Sequence, residues 1–170
     1  MTRVIGLAGW SGAGKTTLIV RLIPELIGRG LSVSTLKHAH HNFDVDQTGK
    51  DSHRHREAGA HEVLVASSNR FALMHELRGA PEPSLAALLA KLEPVDLVVI
   101  EGFKRDPHAK LEVHRAETGK SLLFPDDPKI KAIASDAPVE TTLPWAHLDD
   151  IPAIAELVLK YAEPIEAICG

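Results

Sequence analysis

Two apolar runs, Val4-Ile5-Gly6-Leu7-Ala8 and Thr17-Leu18-Ile19-Val20-Arg21-Leu22-Ile23, flank the octet Gly9-Trp10-Ser11-Gly12-Ala13-Gly14-Lys15-Thr16. The first run is short and nearly continuous, as in a buried strand; the second is apolar at helical spacing. A strand that turns through glycines into a helix leaves few architectures open. With the pattern G-x-x-x-x-G-K-[ST] at the turn, the backbone curls its N–H groups toward an anion and the helix points its positive end at the same place. Gly9, Gly12, Ala13, Gly14, Lys15, Thr16 and Thr17 are therefore the expected nucleotide-binding residues. Lys15 is placed to reach the β- and γ-phosphates and the Thr16 hydroxyl to ligate magnesium. A dinucleotide site is disfavoured, because no G-x-G-x-x-G occurs and the second strand ends at Lys37, where a ribose-binding acid would be needed.

Further elements follow in alternation. The helix runs from Lys15 to Gly28 and stops at Gly28-Arg29-Gly30. Leu31–Leu36 reads as a strand, 49–57 as a helix, and Glu62–Ser67 with Phe71–Glu76 as a hairpin around Ser68-Asn69-Arg70. Leu85–Leu92 is apolar at helical spacing, and Val95–Ile100 has the unbroken apolar character of a strand covered on both faces. Lys110–Arg115 and Ile130–Ala134 are further strands, and Ile151–Tyr161 is a closing amphipathic helix. Residues 104–128, rich in Pro, Asp and Lys, are the least legible stretch and are expected to be partly mobile. The order predicts an α/β, P-loop NTPase fold: a mostly parallel sheet flanked by helices, with a hairpin arm, in a single nucleotide-binding domain over residues 1–170.

Composition narrows the partners. A net charge of −4 and 4% aromatic residues give neither the basic footprint nor the stacking platform of a nucleic-acid binder. The one cysteine, Cys169, has no internal partner, which suits a reducing compartment. No apolar run approaches a membrane span, and the first one leads straight into the phosphate loop, so no leader and a cytoplasmic location are expected.

Magnesium beside a phosphate loop needs a carboxylate at the carboxyl edge of a neighbouring strand. Asp96 and Glu101 bracket one strand, roughly 16 Å apart. Glu101 stands at the carboxyl end, with Gly102 to permit a tight exit, whereas Asp96 belongs at the opposite edge. The loop Lys37-His38-Ala39-His40-His41-Asn42-Phe43-Asp44-Val45-Asp46 leaves the same edge. Its Asp44 and Asp46 are oxygen ligands of the kind a hard cation takes, with Asp44 the better candidate for metal and for water positioning. Lys37, His38, His41, Lys50 and Asp51 are phosphate-facing candidates; Asp51 serves equally as a first-turn helix acid. The histidines match no zinc spacing and have no cysteine beside them.

These segments together resemble one family. The octet with Thr17, the run Lys37–Asp46, Gly49-Lys50-Asp51-Ser52, Ala58-Gly59-Ala60 and Glu101-Gly102-Phe103-Lys104 are similar to MobB, the molybdopterin-guanine dinucleotide biosynthesis adaptors, from Arg3 to about Asp136. The resemblance implies a magnesium-dependent GTP-binding protein with weak hydrolysis, accessory to the guanylyltransferase that joins GMP to the molybdenum cofactor. It implies a homodimer paired with help from an arm of strands, molybdopterin as a further bound ligand, and delivery toward molybdoenzyme assembly factors. Carried over by position, Gly12 to Thr17 bind phosphates, Thr16 holds magnesium, Glu101 is the acid facing it, and Lys104 faces a phosphate or pterin. Apart from the resemblance, the residues themselves make Lys15 the catalytic cation and Asp44 and Glu101 the candidates for positioning water. No N-K-x-D guanine motif is present; Asp136, following Ala134-Ser135 at a strand end, is the candidate acceptor for the guanine amino group.

Two other readings compete. An ATP-dependent small-molecule kinase needs a lid of arginines to exclude water; Arg54, Arg56 and Arg105 are the candidates, but they form no compact cluster in the sequence. A metal-insertion GTPase would use the histidines as ligands.

Overall fold

The computed structural model describes residues 1–39 and 43–169; His41, one of the phosphate-facing candidates, lies outside them. The chain divides into two compact units, Met1–His38 with Leu85–Gly170, and Ala39–Ser84.

In the first unit, β1 (Arg3–Ala8) is buried from Val4 onward and enters α1 (Lys15–Gly28) through the glycine-rich loop. β2 (Val33–Lys37), β5 (Leu97–Glu101), β6 (Lys110–His114), β7 (Ile130–Ser135) and β8 (Trp145–His147) complete a parallel array in the order β2-β5-β1-β6-β7-β8. The array gains a seventh strand, β9 (Glu163–Pro164), antiparallel to the start of β1. Since β6 pairs only with Gly6–Ala8, β9 takes the stretch of that edge which β6 leaves bare. α3 (Leu85–Leu89), α4 (Ile151–Tyr161) and the short α5 (Glu166–Cys169) are the remaining helices.

Both sheet faces are covered, which is why β5 reads as an unbroken apolar run. Its Leu97 and Val99 join Ile5, Leu7, Leu22, Leu26, Ile154 and Val158 in a core beneath α1 and α4. Val98 and Ile100 face the other way, with Val4, Leu85 and Leu89. Asp150 caps α4 by accepting from Ala153 N–H at 3.0 Å, and the Arg3 guanidinium takes the carbonyls of Leu159 and Ala162 at its other end. Two short strands, β8 at one edge of the array and β9 beside β1, have no counterpart among the expected elements. β8 spans three residues after Pro144, and β9 spans two and contains a proline, so neither carries a periodic signal.

The second unit holds α2 (Asp51–Glu57) and an antiparallel hairpin of β3 (Glu62–Ala66) and β4 (Phe71–His75), in the register Leu64↔Leu73 and Ala66↔Phe71. The predicted arm is thus present as a two-stranded sheet of its own.

Candidate functional site

The register of three parallel strands builds the first row of the site. Leu7 of β1 lies level with Glu101 of β5, and Glu101 level with Lys37 of β2. β1 sits where the connections diverge, toward β2 and β5 on one side and β6 on the other. That switch point, at the carboxyl ends of the strands, is where open α/β sheets bind ligands.

The phosphate loop fits there because of its glycines. A Cβ at Gly9 would lie 2.5 Å from the Val113 carbonyl, and Gly14, the residue before α1, has φ 92°. Lys15 reaches across the loop, donating to the carbonyls of Gly9 and Trp10, each at 3.0 Å. Partial burial lowers the Lys15 pKa; Lys104 and Lys37 add to the effect and Glu101 opposes it. The first residue of the helix thus holds a cation that is short of water and of counter-charge, a combination that favours an anionic ligand.

Thr16 and Glu101 meet. The Thr16 hydroxyl is 2.9 Å from one carboxylate oxygen and 3.2 Å from the other. Glu101 is largely sheltered, with its side chain 14% exposed, and Lys37 Nζ approaches it to 3.6 Å. A hydroxyl and a carboxylate at a phosphate loop are the oxygen donors that magnesium takes alongside phosphate and water. Among the described residues no three of His, Cys, Asp and Glu converge on a metal site.

The exit from β5 is tightly built. Gly102 has φ 105°, and a Cβ there would lie 2.6 Å from His38 Cβ. Phe103 follows at φ 50°, a left-handed conformation that non-glycine residues adopt at a cost. The His38 and Phe103 rings stand 4.8 Å apart, and His38 N–H donates to the Glu101 carbonyl at 2.8 Å. The turn projects Lys104 over the Trp10 indole, its Nζ 5.2 Å from the ring centroid. Lys120 stands 5.9 Å from the same ring, and Trp10 Nε1 donates to the Ser121 carbonyl at 2.8 Å.

The structure therefore brings together Lys15, Thr16, Lys37, Glu101 and Lys104. Trp10 and Lys120 were not assigned roles from the sequence; Lys120 lies in the stretch whose placement no pattern revealed. Asp136 follows β7, where its Oδ1 accepts from Ala116 N–H at 2.9 Å. Asp96, at the far end of β5, accepts from the main-chain N–H and hydroxyl of Ser32.

Asp44, Asp46, Lys50 and Asp51 belong to the second unit. There Arg56 binds Asp44 at 2.9 Å, Asp46 at 2.6 Å and Glu76 at 2.9 Å. Its hydrogen bonds hold the Asp46 carboxyl below the usual carboxylate range. Both aspartates assigned to magnesium from the sequence are thus taken up by an arginine, and that arginine is committed to three carboxylates. Asp51 opens α2 as its first-turn acid.

The family model described as MobB, molybdopterin guanine dinucleotide synthesis protein B, matches residues 4–136. The chain is 43% identical over 158 residues to the molybdopterin-guanine dinucleotide biosynthesis adapter protein of Haemophilus influenzae, covering 91% of this chain and 86% of that one. It is 37% identical over 168 residues to the Escherichia coli adapter protein, with 96% and 95% covered. The crystal structure of Bacillus subtilis MobB superposes with a TM-score of 0.72 at 26% identity, over 95% of this chain and 98% of that one. The chain belongs to the MobB family.

Proposed function

We propose that this protein is a GTP-binding adapter in the synthesis of molybdopterin-guanine dinucleotide, acting beside the guanylyltransferase of that reaction. The observation that carries the reading is the convergence of Lys15, Thr16 and Glu101 at the switch point of the sheet, in a chain similar to named adapters over most of its length. Loop N–H groups and Lys15 take the phosphates, and Thr16 with Glu101 holds magnesium. Magnesium held there by Thr16 and Glu101 would neutralise phosphate charge. Guanine is recognised at the carboxyl end of β7, where Asp136 has Oδ2 to offer because Oδ1 is bound to Ala116.

Hydrolysis is slow on this reading. A fast GTPase orients the attacking water with a dedicated side chain, whereas Glu101 is engaged by Thr16 and Asp44 by Arg56. Lys104 and Lys120, on the Trp10 ring, supply charge for a phosphate of the pterin ligand. The adapter works in the cytoplasm as a homodimer.

Titration calorimetry with GTP and with ATP, each with magnesium, tests the reading. A clear preference for GTP is expected. Preference for ATP would overturn it in favour of a small-molecule kinase. Phosphate release with and without the guanylyltransferase then reads whether turnover depends on that partner.

A further inference from the structure

Arg115 directly follows β6, the strand beside β1, and its main chain is held firmly. The next N–H, of Ala116, donates to Asp136, and both Thr118 Oγ1 and Thr118 N–H donate to the Arg115 carbonyl, at 2.8 and 3.1 Å. Gly119, at φ 61°, closes the 3-10 turn Ala116–Thr118. From this base the half-buried side chain lies against the phosphate loop. A Cβ placed on Gly14 would stand 2.9 Å from Arg115 Nε and 3.4 Å from Nη2. Glycine at 14 thus supplies two things, the left-handed turn into α1 and room for a guanidinium.

That guanidinium makes no hydrogen bond or ion pair with any described residue. Asp149, the carboxylate that senses its charge, is bound to Arg21 at 2.8 Å. A planar fork of donors, carried on an anchored main chain, lying against the phosphate loop and unpaired among the described residues, is suited to binding two oxygens of a phosphate at once. Resting on the nucleotide reading above, we propose that Arg115 is a direct ligand of the α- and β-phosphates of the bound nucleoside triphosphate, supplied from outside the glycine-rich octet. The assignment to those phosphates follows from position. The loop backbone cradles the α- and β-phosphates while the lysine reaches the β- and γ-phosphates, and Arg115 lies at Gly14 whereas Lys15 spans Gly9 and Trp10.

Phosphates shared by GDP and GTP give this role a signature. Arg115→Ala weakens both nucleotides by the same factor, roughly ten- to a hundredfold for a charged donor pair, leaves the melting temperature of the nucleotide-free protein unchanged, and is partly rescued by Arg115→Lys. Wild-type affinity for both nucleotides in Arg115→Ala would overturn the inference while leaving the nucleotide reading intact. So would a loss confined to GTP, or one accompanied by a lowered nucleotide-free melting temperature. Failure of the wild-type protein to bind either nucleotide with magnesium would overturn both.

Discussion

Lys15 shows how much a single side chain decides here. Its ammonium satisfies two loop carbonyls, and partial burial beside Lys104 lowers the pKa. Phosphate oxygens would relieve both the desolvation and the repulsion. Lys15→Ala is expected to cost at least about a hundredfold in GTP affinity, as the loss of more than one charged hydrogen bond. Its circular dichroism and melting temperature should stay at wild-type values; a variant that still bound GTP normally, by calorimetry, would refute the placement of the triphosphate. Glu101→Gln probes the neighbouring contact. Removing its charge should narrow the gap between affinities measured with magnesium and with a chelator, since Thr16 then faces a neutral amide. The sequence made Lys15, Thr16 and Glu101 legible because each sits at a fixed distance from a strand end. Arg115 was hidden because a basic residue after an alternating strand looks the same whether it meets solvent or a phosphate loop, and Lys120 because it lies past the turn at Gly119, in a stretch without periodicity. Asp44 and Asp46 are ambiguous for the same reason: an acid in a polar loop is equally a metal ligand or an arginine partner, and only the fold supplies Arg56.

β6 carries the same lesson to the level of an element. Lys110-Leu111-Glu112-Val113 alternates as though one face met water, yet Lys110 and Glu112 are as buried as their apolar neighbours. Glu112 accepts from the N–H groups of Leu123 and Phe124 at 2.7 and 2.9 Å, and Lys110 bonds Asp127 and the Asp106 carbonyl. Residues 104–128, expected to be mobile in part, are thus tied to the sheet by its polar side chains, a dependence no local pattern displays. His108 completes this face, packed on Gly6, where a Cβ would lie 2.3 Å from its Nε2, and neither ring nitrogen has a hydrogen-bond partner among the described residues. Burial, with Lys110 nearby, lowers its pKa to about 4 from an ordinary value of 6.5. The unfolded chain therefore binds the proton first on acidification. Stability contributed by neutral His108 is present above pH 6.5 and is lost as pH falls toward 4, up to about 3 kcal/mol. Burial raises the Glu112 pKa, which acts in the opposite direction, so a single-site comparison is needed. Urea midpoints at pH 7 and pH 5 should fall further for the wild type than for His108→Leu; equal falls would mean that the buried imidazole does not govern the acid limb.

For the whole molecule, the two units divide the work. The proposed nucleotide site is built from β1, α1, β2, β5 and β6, all in the first unit, while the second carries exposed apolar side chains. On one face of the hairpin, Leu64 and Leu73 oppose each other and Phe71 lies two residues along; they are 62%, 48% and 70% exposed. A lone two-stranded sheet is marginal in water, and contiguous apolar side chains of this kind signal an interaction surface. Arg56, with its three carboxylates, stiffens the unit that carries this face but adds nothing to cover it. The proposed homodimer supplies the cover, with a second hairpin laid against the first. Sedimentation of the wild type should then give a dimer, and Leu64→Asp with Leu73→Glu a monomer, because two charges would be buried without partners in the joined state. GTP affinity per chain should be unchanged in that monomer, since Lys15, Thr16, Glu101 and Asp136, to which the proposed function gives the phosphates, the metal and the base, all lie in the other unit. A dimeric double variant would move the interface elsewhere. A monomer that had also lost GTP would show that the site draws on the second copy, and the division of labour between the units would fall with it.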